Sequence, residues 1–208
     1  MTEKEHTMKL HKKLILFFIC IIFSTSVFAQ ANPMTMMRNL SDRMLASLRQ
    51  NRARLKRNPK YIYTLVKRII VPHADLPGMS RSVLGRTAWK SANAQQRQAF
   101  ISAFTNIMIS TYASALNAYE DEKIEFFPLR GGYQGKRRVR IQSQVIRSDG
   151  PPIPLNYKLA LIKNTWKIYD LNVEGVSLLQ SFYSQFQAKL SQGKTVTQIT
   201  RELRRRKK

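Results

Sequence analysis

The segment Pro72-His73-Ala74-Asp75 sets an imidazole and a carboxylate two residues apart, a spacing that can orient a histidine for general-base work. Such a base needs a nucleophile to activate. No Ser or Cys motif accompanies it, so the segment reads as an ordered loop. Zinc needs several ligands, whereas beyond residue 29 the chain holds one His and no Cys. Ten acidic residues remain in that part of the chain. Among them Asp170 and Glu174 form a close pair near a strand-to-helix junction, where capping or pairing with Arg accounts for them better than acid–base catalysis. Gly131, Gly132 and Gly135 lie between strands without a Lys-Ser/Thr pair or a following helix, so the phosphate-loop pattern fails. These residues do not assemble an enzyme, a metal centre or a cofactor site.

The chain is rich instead in large, adaptable apolar side chains. Met36, Met37, Met44, Met79 and Met108 sit among Phe and Tyr, and methionine accommodates variable neighbours. Periodicity places them on elements. Met37, Leu40, Met44, Leu48 and Leu55 predict a helix from about Met36 to Arg57, after a linker containing Pro33. Asn58-Pro59 predicts the start of a second helix carrying Ile62, Leu65, Val66, Ile69 and Ile70, ending before Pro72. A Pro/Gly-punctuated loop, a short helix around Met79–Leu84 and a break at Gly85 follow. The longest helical signal starts at Asn93, with Gln96 completing a variant capping box. Its stripe runs through Phe100, Phe104, Ile107, Met108, Thr111, Tyr112, Ala115 and Tyr119.

From Ile124 the period changes to two, predicting strands at Ile124–Leu129, Lys136–Arg147, Ile153–Lys163 and Trp166–Val173. Val139, Ile141, Ser143 and Val145 share one face, as do Ile153, Leu155, Tyr157, Leu159 and Leu161. Asp149-Gly150 and Lys163-Asn164 suit tight antiparallel turns. Helix returns at Ser177 with Leu178, Leu179, Phe182, Phe186 and Leu190 on one side, stops at Gly193, and resumes near Thr195. The fold class is α+β: helices packed on one twisted antiparallel sheet of about four strands. A concave sheet facing an aromatic helix can enclose a pocket, but periodicity does not distinguish a hollow interior from a filled one.

The first 29 residues read as an export signal. Lys9, His11, Lys12 and Lys13 precede an apolar core at Leu14–Phe23, and small residues allow cleavage before Gln30 or before Asn32. About ten apolar residues do not cross a bilayer that needs about twenty. Cys20 follows bulky Ile19 inside the apolar run, which disfavours lipidation. The expected product is periplasmic, with one domain over 30–203 and a basic tail at 204–208. Four of the 36 Lys/Arg and two of the 12 acidic residues precede residue 30, so +24 becomes +22 without them. For an exported chain this field suits anionic headgroups and acidic proteins rather than nucleic acid. Arg201–Lys208, six basic residues in eight, is either a solvated end or a docking element.

Three blocks carry a family resemblance. The first is Pro72-His73-Ala74-Asp75 with Met79-Ser80 and Val83-Leu84-Gly85 to Trp89. The second is Gln96-Arg97 with Phe100, Phe104, Tyr112 and Leu116. The third is Pro152-Ile153-Pro154-Leu155 with Tyr157, then Trp166, Tyr169-Asp170, Glu174-Gly175-Val176-Ser177 and Gln185-Phe186 in order. Together they resemble MlaC-type proteins, the toluene-tolerance auxiliary family of periplasmic phospholipid carriers. Phe182-Tyr183 departs from the family's frequent Tyr-Arg pair.

The resemblance implies an apolar lipid pocket between sheet and helices. Its implied lining is Phe100, Phe104, Met108 and Tyr112 on the long helix, Val139, Ile141, Tyr157 and Leu159 on the sheet, and Val176, Leu179 and Phe182 at the closing turn and helix. It also implies exchange of diacyl phospholipid with an MlaD-containing inner-membrane complex and an MlaA-containing outer-membrane complex, maintaining outer-membrane lipid asymmetry. A carrier is needed because exposing two chains of about fifteen methylenes, at about 0.8 kcal/mol each, costs on the order of 20 kcal/mol. The competing reading is a basic periplasmic module with a filled core that binds an acidic protein or polyanion through its surface.

Overall fold

The computed structural model describes residues 31–205 apart from Asp149. The expected signal at 1–29, Asp149 of the Asp149-Gly150 turn and the last three basic residues lie outside them.

Pro33 belongs to the first helix rather than to a linker. Asn32 Oδ1 accepts from the amides of Met34 (2.9 Å) and Thr35 (3.3 Å), and proline in the first turn loses no helical hydrogen bond. Helix α1 spans Pro33–Gln50 and α2 spans Arg52–Arg57, so the expected single helix to Arg57 breaks at Asn51. There the Asn51 side-chain amide donates to the Ser47 carbonyl at 2.8 Å, ending α1 locally. Asn58-Pro59 forms a turn rather than a cap. Tyr61 N donates to Asn58 O (2.9 Å) and Ile62 N to Pro59 O (3.3 Å), and α3 covers Tyr61–Ile69.

A 3₁₀ turn at Val71–His73 leads to α4, Leu76–Ser91, capped by Asp75 and kinked at Gly85, whose φ of 74° suits glycine. The expected short helix is therefore the first arm of a bent one. Helix α5 covers Ala94–Asn117, and its capping box is complete: Gln96 N donates to Asn93 Oδ1 (2.8 Å) and Asn93 N to Gln96 Oε1 (2.9 Å).

The sheet is an antiparallel meander in the order β1 to β5. Its strands are β1 Lys123–Phe126, β2 Arg138–Ile146, β3 Ile153–Ile162, β4 Thr165–Val173 and β5 Val176–Ser177. The fifth strand, absent from the sequence reading, is two residues folding back on β4, too short for a period to register. Lys163 (φ 47°) and Asn164 (φ 60°) make the primed turn that joins β3 to β4. Helices α6 (Leu178–Ser191) and α7 (Val196–Arg205) close the chain.

Two apolar clusters fill the domain. One packs Met37, Leu40 and Met44 of α1 and Ile62, Leu65 and Ile69 of α3 on the sheet face bearing Val139, Ile141, Tyr157, Leu159 and Trp166. The other is helical, joining Val83 and Leu84, Phe100 and Phe104, Phe182 and Phe186, and Ile199 and Leu203. The long helix has α3, α4 and α7 as its closest backbone neighbours, with no strand among them. Side chains bridge the space from α5 to the sheet.

Helix α7 is held to α6 by Glu202, which accepts from Lys189 and Lys194. Those two ammonium donors hold its carboxyl down to about 2 from the ordinary 4.5. A depressed folded-state value stabilises above the unfolded value, and the contribution disappears as pH falls through the folded one. The Glu202 carboxyl, titrated by NMR, is expected to stay ionised at pH 4 and protonate only towards pH 2. A midpoint near 4.5 would show that the lysines do not hold it in solution.

Candidate functional site

The junction between β4 and α6 is built around one buried carboxylate. Asp170 is 1 % exposed and accepts three hydrogen bonds: from Lys158 Nζ (2.9 Å), Ser177 Oγ (2.8 Å) and the Leu179 amide (3.1 Å). Ser177 Oγ in turn accepts from Gln180 N at 3.1 Å, capping α6. Glu174 (φ 51°) and Gly175 (φ 86°) reverse the chain, and Asn172 Oδ1 receives the Gly175 amide at 3.1 Å. The Glu-Gly-Val-Ser block is thus a joint that aims the N-terminus of α6 at the sheet. Asp170 takes a Lys partner rather than an Arg, while Glu174 stands exposed in the turn.

The histidine does not form a catalytic pair. Asp75 uses its carboxylate on Gly78 N (3.0 Å), and its own amide donates to Ile168 O (2.8 Å), stitching the loop to β4. Burial, with Lys167 and Arg43 nearby, pushes the His73 pKa down and favours the neutral ring. Among the described residues no three His, Cys, Asp or Glu gather as a metal site.

The structure distributes the eleven expected lining residues among four environments. Phe100 and Phe104 are 0 % exposed, and with Phe182 and Phe186 they form a closed aromatic knot. Val139, Ile141, Tyr157 and Leu159 lie on the sheet under α1 and α3, also buried. Met108, Tyr112 and Leu179 are half-buried. Val176 is 61 % exposed on β5. Two of the trio lie at the Asp170 joint: Tyr112 feels the Asp170 charge, and Leu179 donates its amide to that carboxylate. Met108 and Tyr112 are one helical turn apart on α5. Burial and the Asp170 charge both raise the Tyr112 pKa, keeping the phenol neutral.

Around this trio much of α5 is only partly buried. An 18-residue stretch of it is apolar enough to cross a membrane, yet only 28 % of that stretch is buried. Ile107, Ala113 and Leu116 extend the half-buried wall, and Ile168, Tyr169 and Leu171 of β4 are half-buried too. Sequence reasoning missed the β4 residues because a register shift against Lys158/Leu159 interrupts the alternation there. An open groove of about 680 Å³, lined by Gly85, Arg86, Gln96, Tyr183, Gln187 and Lys194 among others, contains none of the eleven. The arrangement offers adaptable apolar surface beside a hydrogen-bonded joint.

The fold has counterparts among known proteins. The phospholipid-binding protein of Ralstonia solanacearum, solved in complex with a phospholipid, superposes with a TM-score of 0.78 at 27 % identity, covering 85 % of this chain and 97 % of that one. The intermembrane phospholipid transport system binding protein MlaC of Haemophilus influenzae is 28 % identical over 171 residues, 80 % of this chain and 79 % of the relative. Toluene tolerance protein ttg2D of Pseudomonas putida is 27 % identical over 158 residues, 76 % and 73 % of the two chains. The MlaC protein family model matches residues 38–205, from within α1 to the end of α7. That match spans the joint, the long apolar helix and the meander, and this chain is a member of the MlaC family.

Proposed function

We infer that the protein is a non-enzymatic phospholipid carrier. It would move diacyl phospholipid through the periplasm between an MlaD-containing inner-membrane complex and an MlaA-containing outer-membrane complex, maintaining outer-membrane lipid asymmetry. The observation that carries the reading is the half-buried apolar wall of α5, in a fold whose Ralstonia counterpart is described with a phospholipid bound. Acyl chains would enter between α5 and β4, where Met108, Tyr112 and Leu179 can move without breaking a closed cluster. The Phe100–Phe104–Phe182 knot and the Val139–Leu159 face would form rigid walls behind them. The headgroup would stay at the rim, where basic side chains meet phosphate.

One observation favours the filled-core alternative. Seven of the eleven expected lining residues are already buried against protein. Native mass spectrometry of the purified protein separates the two readings: a carrier retains stoichiometric phospholipid, a surface-binding module does not. Met108→Trp is expected to weaken lipid binding by about 1–3 kcal/mol, roughly 5- to 150-fold, by filling the slot with little loss of stability. Leu159→Trp, at a fully buried position, should instead destabilise the fold by about that amount. Equal lipid content in wild type and Met108→Trp would move the cargo away from α5.

A further inference from the structure

Strand β1 accompanies β2 only from Ser143 to Ile146. The Phe127 amide then closes on Gln142 O (3.0 Å), and the chain leaves the sheet. Residues 138–141 have β3 on one side and no β1 residue on the other. Peptide groups alternate along an antiparallel strand. Gln142 O faces the β1 side, whereas Arg137 O receives Leu161 N from the β3 side. The backbone groups of Arg138 and Arg140 therefore point out of the sheet along an open edge.

The β1–β2 loop and that edge line a common groove. Leu129 and Tyr133 anchor the loop on the sheet-side core. Gly131, Gly132 and Gly135 take positive φ of 70°, 63° and 70°, a conformation that glycine permits in a tight loop. A groove of about 450 Å³ remains between loop and strand. Among the described residues its lining contains Arg130, Lys136, Arg138 and Arg140 and no carboxylate, with the Lys136 ammonium donating to Gly131 O. Glu125, further along on β1, is engaged by Gln144 Nε2 at 3.1 Å. Pro128 and Leu129 add an apolar end, and Phe127 beside them is 43 % exposed.

We propose that this groove docks an extended acidic segment of a partner protein, which adds to the sheet as a short strand beside Arg138–Arg140. Main-chain pairing supplies the register, and the Arg130, Arg138 and Arg140 cations select the sign of the side chains. The same cations repel a second copy of this chain, so the edge is protected against self-association while open to an acidic strand. A flat anionic membrane reaches the tips of the Arg side chains but not backbone groups set inside a groove. The inference concerns a surface distinct from the α5 wall and does not depend on the cargo.

The test uses fluorescence anisotropy with a short peptide alternating Glu and Val, on the purified protein in about 0.1 M salt. The peptide should bind saturably. N-methylation of alternate backbone amides along one edge should weaken it at least about tenfold, because pairing is lost while charge is kept. Arg130→Glu/Arg140→Glu should weaken it as much, whereas Arg201→Glu/Arg204→Glu, on α7, should leave most of the affinity. Circular dichroism checks that both exposed double variants keep the fold. Equal binding of the N-methylated peptide, or equal loss in the α7 variant, would reduce the effect to the general positive field and overturn the proposal. Phosphatidylglycerol vesicles that bind through Arg130 and Arg140 when the peptide does not would make the groove a membrane contact, which also overturns it.

Discussion

Truncating Phe104 to alanine is expected to cost about 3–5 kcal/mol of folding stability. The ring is 0 % exposed and lies at the centre of four. It stacks on Phe100 at 5.8 Å and meets Phe182 and Phe186 edge-on at 5.2 and 5.9 Å. These rings come from α5 and α6, so the hole left behind is shared by two helices that cannot both collapse into it. For a domain of this size the loss corresponds to a fall in Tm of roughly 6–20 °C. Phe127→Ala, at a position 43 % exposed, should change stability by less than about 0.5 kcal/mol and serves as the control. Urea unfolding of lipid-stripped and lipid-loaded protein checks both. If Phe104 is a wall behind the cargo, the penalty is the same in the two forms. A penalty below about 1 kcal/mol in the stripped protein would mean that the ring faces open space and belongs to the lining itself.

Much of this arrangement is legible in the sequence where the signal is local. Asn93 and Gln96 mark the start of α5 because a capping box needs nothing beyond four consecutive residues. Ser177 and Gly193 mark the limits of α6 for the same reason. The alternation of Val139, Ile141 and Ser143 against Arg138, Arg140 and Gln142 gives the buried face of β2 correctly, because a pleated strand has only two faces. The break at Asn51 is less visible, since the apolar stripe of α1 runs on in phase to Leu55.

The site is harder to read for a physical reason. Periodicity reports that a side chain faces inwards, but not which neighbour it meets. Phe104 and Met108 are one turn apart on the same stripe, yet one is sealed in an aromatic knot and the other is half-open. The difference depends on where α6 sets Phe182 and Phe186 against α5, and the Asp170 joint that positions the start of α6 lies far along the chain from both residues. The open edge beside Arg138 is invisible for a related reason. It exists because β1 stops at Phe126 while β2 continues, and strand ends are set by pairing.

Asp170→Ala is expected to be the most damaging change of a polar residue, at about 3 kcal/mol or more. Removing the carboxylate strands three donors at once: the Lys158 ammonium, the Ser177 hydroxyl and the Leu179 amide. Breaking a buried pair costs about 3–5 kcal/mol, and Lys158 tempers this because its side chain is 32 % exposed and can turn to water. The Leu179 amide has no such escape at the first turn of α6, where the helix itself provides no acceptor. Ser177→Ala removes one donor and the α6 cap, so about 1 kcal/mol is expected there. The double variant Lys158→Met/Asp170→Leu distinguishes the charge pair from the joint. If the ion pair dominates, replacing both partners with apolar groups recovers most of the loss. If the joint dominates, the double variant stays destabilised and Leu179 loses its protection in hydrogen exchange. The second outcome is expected, because two of the three bonds hold α6 rather than Lys158. It also predicts a functional cost: with α6 unpinned, Leu179 is no longer held against the Asp170 joint, and lipid retention should fall even at temperatures where the variant remains folded. Full lipid retention in folded Asp170→Ala would mean that the cargo does not rest on this joint.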